Sequence, residues 1–182
     1  VLRIASALVS TAVVATGIVA VTAGTAATAS AACAPSPGKG YHITNKSTVS
    51  KSTNLHSDWM YDNLGGNLTY NHSKTATTSA SGTWGVEAEA GVIFAKASTS
   101  FSVTVGKSWS KSSSWSYSIP ARNKAGKTKV RMTMFHESKK FKATKYTYSY
   151  DAHCRYHEKK VWAKWFTAPV KKDSNVWGLE WK

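Results

Sequence analysis

His136-Glu137 and His157-Glu158 open like the His-Glu-x-x-His of a zinc protease, where two imidazoles one helical turn apart hold the metal. Lys140 and Val161 stand where the second histidine belongs, so neither set is complete. His153-Cys154-Arg-Tyr-His157 gathers two imidazoles and a sulfur, which on a strand would place both histidines on one face. Ala121-Arg-Asn-Lys-Ala-Gly-Lys-Thr128 has the looser spacing of a phosphate-binding loop. That chemistry needs a helix N-terminus aimed at the phosphate; here Pro120 precedes the run and an alternating, strand-like segment follows it. Glu87 and Glu89 are neighbours on one strand face, as a glycosidase pair could be, but two carboxylates on a solvated face need no catalytic role. No Gly-x-Ser-x-Gly elbow is present. The expectation is a protein that is not an enzyme and needs no cofactor or metal.

The elements that position these residues read as strands. Trp84, Val86, Ala88 and Ala90 alternate with Gly85, Glu87 and Glu89, and Phe101, Val103 and Val105 alternate with Ser102 and Thr104. Side chains on a strand switch faces at every residue, so each run has one apolar and one polar side. Between them lies a short apolar stretch with Val92, Ile93 and Phe94. The pattern predicts an amphipathic hairpin over 84–105, either packed as a sheet layer or turned toward lipid. Further strands are expected over 67–83, at Trp115-Ser-Tyr-Ser-Ile119, over 127–135 and over 139–150, where Tyr146, Tyr148 and Tyr150 share a face. The segments 157–168 and 176–181 are expected to form a last pair. Asp58 to Leu64 is the single candidate helical turn, with Trp59, Met60 and Leu64 as core plugs. The fold class is all-β: an elongated antiparallel sheet or sandwich with long Ser/Thr-rich strands.

The first thirty-one residues read differently. A basic Arg3, an apolar run from Ile4 to about Ala23 and small residues at Ala29-Ser-Ala31 fit a secretory signal cleaved near Ala31. A membrane anchor is the rival reading, although no charged cluster follows the run. Val1 in the first position suggests a non-AUG start and hence a bacterial chain. Residues 32–57 are expected to form a polar N-terminal arm, able to add as a strand to a partner's sheet, or equally a weak strand through Tyr41, Ile43 and Val49, and 58–182 a single β-rich domain. Cys33 and Cys154 are expected to pair in an oxidising compartment. Closing so long a loop stabilises by about 4–5 kcal/mol in the chain-entropy description.

The net charge is +15, from 24 Lys and Arg against 9 Asp and Glu. Such an excess favours anionic partners, either a membrane or a cell-surface polymer. No nucleic-acid recognition motif accompanies it. Trp162, Trp165, Trp177 and Trp181, beside Lys159, Lys160 and Lys164, form a candidate surface-docking set. Strand packing accounts for some of these tryptophans.

Val105-Gly-Lys-Ser-Trp-Ser leads into Trp115-Ser-Tyr-Ser-Ile-Pro120, then a Gly126-Lys127 turn and a basic strand. With long Ser/Thr strands flanking an amphipathic hairpin, residues 67–150 resemble the aerolysin-type β-pore-forming module, in its epsilon-toxin and mosquitocidal-toxin branch. The resemblance implies homo-oligomers on a membrane, each copy contributing one hairpin. Trp84, Val86, Ala88, Ala90, Phe101, Val103 and Val105 would face lipid, with Val92, Ile93 and Phe94 at the leading tip. Glu87, Glu89, Ser102 and Thr104 would line the lumen. Two alternatives come from other classes. One is a non-enzymatic adaptor in a hetero-complex with larger secreted toxin subunits. The other is a basic secreted protein that binds cell wall or polyanion.

Overall fold

Eight elements follow one another in the computed structural model, which describes residues 36–61 and 65–182. They are β1 (Gly38–His56), β2 (Met60–Tyr61), β3 (Asn67–Ser79), α1 (Ala90–Phe101), β4 (Ser108–Pro120), β5 (Lys129–Tyr150), β6 (Tyr156–Pro169) and β7 (Asn175–Trp181). The protein is mostly β, with antiparallel sheets of long strands. Residues 1–31, expected as a secretory signal, Cys33 and Leu64 lie outside the described residues, so the Cys33–Cys154 pairing remains an expectation; no described cysteine is free.

The strand β5 is the axis of the main sheet. It pairs with β1 and β2 on one side and with β6 and β7, in tandem, on the other. The sequence reading expects two strands here, broken near residue 137. One strand of 22 residues forms instead, because the buried polar ring at its centre, His136, finds partners inside. His136 is buried, stacks on Trp109 at 4.1 Å, and sits 2.9 Å from the Val170 carbonyl and 2.7 Å from Asn175 Oδ1. The expected pairing of the last two segments is also corrected. β6 and β7 each add to β5 and not to one another, since β5 is long enough to template both.

The polar stretch, for which the sequence leaves a weak strand and an exposed arm both open, is strand β1, in register with β5 from Gly38↔Tyr148 onward. Its order comes from the backbone ladder, which needs no apolar side chains. Asn45, at φ 51°, lies in the register shift between Thr44 and Ser47. Asparagine tolerates this left-handed conformation, and the extra residue makes a bulge. The expected helical turn at 58–64 is not formed in its described part; Met60 and Tyr61 pair with β5.

Two cores lie on opposite faces of β5. Val130, Met132 and Met134 face Leu55, Leu68, Tyr70, Ala76, Trp109 and Trp115. Phe141 and Ala143, of opposite parity, face Tyr41, Phe166 and the buried side of α1. Phe141 and Phe166 stack at 5.6 Å and are both fully buried. Truncating Phe141 to alanine should cost about 3–5 kcal/mol, read as a lowered urea midpoint, because the cavity opens beneath a helix and a three-strand layer.

β3 and β4 form a separate two-stranded ribbon. Leu68, Tyr70 and Ala76 with Trp109 and Trp115 supply its buried face. Its other face is a ladder of hydroxyls and amides: Thr69↔Ser118, Asn71↔Ser116, Ser73↔Ser114, Thr75↔Ser112, Thr77↔Ser110 and Ser79↔Ser108. Three of these pairs are hydrogen-bonded through their side chains, two of them at 2.7 Å.

Candidate functional site

Residues 80–107 leave the hydroxyl ribbon and return to it at adjacent points. Ala80 N–H donates to the Lys107 carbonyl at 2.6 Å, one pair beyond Ser79↔Ser108 and still in register. There the ribbon forks. One arm bridges β6 through Ser81↔Thr167 and the other reaches the end of β6 through Val105↔Val170. Gly82, at φ +87°, passes so close to Trp165 that an added Cβ would lie 2.0 Å from the Trp165 carbonyl oxygen. Only glycine fits there.

The hairpin expected over 84–105 is not present in this state. Its centre is the helix α1, packed on the main sheet. The reason is a second periodicity in the same letters. Ala90, Ile93, Phe94, Ala97 and Phe101 fall at helical spacing, and Ala, Lys and Phe from 90 to 97 permit a helix. The stretch Val92-Ile93-Phe94, expected as a tip, is therefore split. Ile93 and Phe94 are buried against the sheet, while Val92 is 54% exposed. Ser102, at φ 54°, ends the helix, and Val103 N–H bonds back to the Ser98 carbonyl at 3.2 Å.

The other expected lipid-facing residues divide in the same way. Val86, Ala90 and Val105 are buried in the core. Phe101 and Val103 pack partly against it. Ala88 is exposed, and Trp84 is 86% exposed. Of the residues assigned to the lumen, Glu87 is exposed and Glu89 is not. Glu89 precedes the first turn of α1 and accepts a hydrogen bond from Lys145 Nζ of β5, an ion pair with both partners mostly screened from solvent. That bond is the main reason its carboxyl lies below the ordinary carboxylate value, against the opposing effect of burial. Burial first, and then Glu89, pushes the Tyr41 phenol up to about 12. Nothing in the sequence links residues 41, 89 and 145; the pairing of β1 with β5 does. An open groove of about 480 Å³ runs between α1 and β1, lined by Tyr41, Ile43, Val92 and Ala95 among others.

Gly91 has open space where a Cβ would stand. Gly91→Ala should stabilise α1 by about 0.5–1 kcal/mol, visible as a higher thermal midpoint.

The candidate docking set is dispersed. Trp162 packs on Tyr41 and Phe166. Trp177 lies between Tyr70 and Tyr117. Trp181 donates to the Arg122 carbonyl and carries Lys124 over its ring. These three are held by the fold. Trp165 stays 48% exposed, with Lys140 over it at 5.3 Å. Lys164 sits between the rings of Trp84 and Trp162 and donates to the Trp84 carbonyl. Lys159 and Lys160 are exposed on β6, opposite Thr147 and Tyr146.

His153 N–H, in the β5–β6 turn, and His157 Nε2, at the start of β6, both approach Asp151, at 2.9 and 3.2 Å. Among the described residues, no group of three or more metal-ligating side chains comes together. Compared with known families, curated proteins and solved structures, the chain shows no match.

Proposed function

We propose that this is a secreted, non-enzymatic membrane-acting protein, in which residues 80–107 unfold from the main sheet and extend the β3–β4 ribbon into a bilayer as a β-hairpin, copies joining into a pore. The observation that carries the reading is register. Continued past the fork, it sets Trp84 opposite Val103, Val86 opposite Phe101, Ala88 opposite Thr99 and Ala90 opposite Ala97 on one face, apolar but for Thr99. On the other face it sets Thr83 opposite Thr104, Gly85 opposite Ser102, Glu87 opposite Ser100 and Glu89 opposite Ser98. The apolar side continues the buried side of the ribbon, and the polar side continues its hydroxyl ladder. Each arm is then about as long as the 9–11 residues a membrane strand needs. Closure of a barrel satisfies the backbone groups that lipid cannot.

The two states draw on the same side chains. Helical spacing buries Ile93, Phe94 and Ala97 in water, and alternation presents Trp84, Val86 and Phe101 to lipid. Membrane contact would supply the difference in free energy. The direct test is dye release from vesicles by the chain beginning at Ala32. Release from anionic vesicles with stepwise conductance in planar bilayers is expected. Absence of release from anionic, neutral and cell-derived membranes would overturn the pore and turn attention to the adaptor reading, through partners co-purifying from culture supernatant. Gly91→Ala should slow release, because it strengthens the helix that must unwind.

A further inference from the structure

The second half of β5 has one face beneath α1 and the other uncovered. Cross-strand pairing defines what lies on the uncovered face. Thr44, Lys142 and Trp165 form one row across three strands, and Ser47, Lys140 and Thr167 the next. Farther along, Tyr146 lies opposite Gly40 and Lys160, and Tyr148 opposite Gly38 and Glu158. The two glycines are what this arrangement requires. A Cβ on Gly40 would come within 2.4 Å of the Tyr146 ring, and one on Gly38 within 2.6 Å of the Tyr148 hydroxyl. The rings rest on the β1 backbone in space that any other residue would fill.

The rings then pack on their neighbours. His42 stacks on Tyr146 at 4.3 Å and Tyr148 on Tyr156 at 5.8 Å. Glu158 is the one acid in these rows. It accepts from the Tyr156 hydroxyl and faces His42 Nε2, both at 2.9 Å, so its charge is already engaged. Lys140, Lys142 and Lys160 carry the remaining charge. The face is thus cationic and aromatic, with polar tips on apolar rings.

We propose that this face, with Lys140, Lys142, Tyr146, Tyr148, Tyr156 and Trp165 at its centre, docks on the surface of an anionic phospholipid bilayer. Charge complementarity selects the occupant, since lysines near an anionic bilayer are attracted to it and Tyr and Trp favour the headgroup level. The ladder of paired residues 140–150 spans roughly 30 Å at the rise of a strand, a length suited to a surface and not to a small solute. The proposal rests on the membrane-acting reading above and adds the contact that would precede insertion.

Co-sedimentation with vesicles of phosphatidylglycerol and phosphatidylcholine tests docking apart from insertion, when carried out in an Ala88→Lys background that places a charge on the lipid side of the hairpin. Lys140→Ser with Lys142→Ser should lower the vesicle partition coefficient by about fivefold per lysine. Trp165→Ser should lower it further. An equal loss of charge elsewhere, Lys74→Ser with Lys127→Ser, should change it far less. Equal losses from the two lysine pairs would overturn the proposal, as would equal binding to pure phosphatidylcholine. So would an unchanged bound fraction, or a loss confined to retention on a soluble polyanion such as dextran sulfate. Release by the parent chain without face-dependent binding would sink the docking face alone. Face-dependent binding without release would sink the pore alone.

Discussion

Ala88→Lys is expected to leave the folded protein intact and to weaken pore formation strongly. Ala88 is exposed before α1, and a lysine there meets solvent. Surface changes of that kind usually stay within about 0.5 kcal/mol. In the extended hairpin the same residue sits midway along the lipid-facing side, between Val86 and Ala90. A lysine near the bilayer midplane of a β-barrel costs about 2–4 kcal/mol. Each copy in the ring bears that cost, so the dose for half-release should rise roughly tenfold or more. Circular dichroism and the urea midpoint should match the parent. Glu87→Gln is the partner experiment. It keeps an acceptor for the Gly85 N–H, which Glu87 Oε1 now receives at 2.9 Å. It removes a charge from the lumen side. Release should persist while cation preference falls. Wild-type release by Ala88→Lys would exclude the hairpin as the inserting segment, because in that hairpin the lysine would have to enter the lipid-facing side.

Acidification is expected to loosen the insert, and Glu89→Gln to reproduce the effect at neutral pH. Lys145 on β5 and Tyr41 and Lys39 on β1 act on Glu89. Its folded carboxyl value lies below the ordinary one, so the contribution to stability is present above the ordinary carboxylate range. It is lost as pH falls through that range toward the depressed folded value. Glu137, held down foremost by its hydrogen bond from Lys139, and Asp173, held down foremost by Lys111, follow the same sign and weaken the rest of the fold. The Gln variant separates the insert from this background. It leaves Lys145 without its anion and should cost about 1–3 kcal/mol at neutral pH. Hydrogen exchange at the amides of α1, which reports on the insert, should then lose the part of its acid transition that precedes global unfolding. A variant that keeps the parent's full acid profile and release dose would show that the Glu89–Lys145 pair does not hold the insert.

Alternation in the sequence determined most of the fold class. Trp115-Ser-Tyr-Ser-Ile119 and Val130-Arg-Met-Thr-Met134 have the two-residue period of a strand, and both are strands. The hydroxyl-rich segment 67–79 was legible for the same reason, since a polar outer face beside an apolar inner one needs only local spacing; residues 108–114 were not, because Trp109 alone among serines and lysines shows no alternation, and the pairing with β3 makes them strand. Residues 90–101 were not legible, because there the two-residue and helical periods overlap. Local spacing cannot rank them. The decision belongs to Phe141, Ala143 and Phe166, which offer a surface that a helix face covers. The continuity of β5 is tertiary in the same sense: His136 and Ser138 read as polar interruptions until Trp109, Val170 and Asn175 close around His136. Of the tryptophans, only contact could separate Trp165 on the surface from Trp162, Trp177 and Trp181, which the fold holds. The Glu89–Lys145 pair and the seating of Tyr146 and Tyr148 over Gly40 and Gly38 depend on partners about 56 to 110 residues away in the chain. Such pairs follow from strand register, which is a property of the whole sheet and not of any one stretch of sequence.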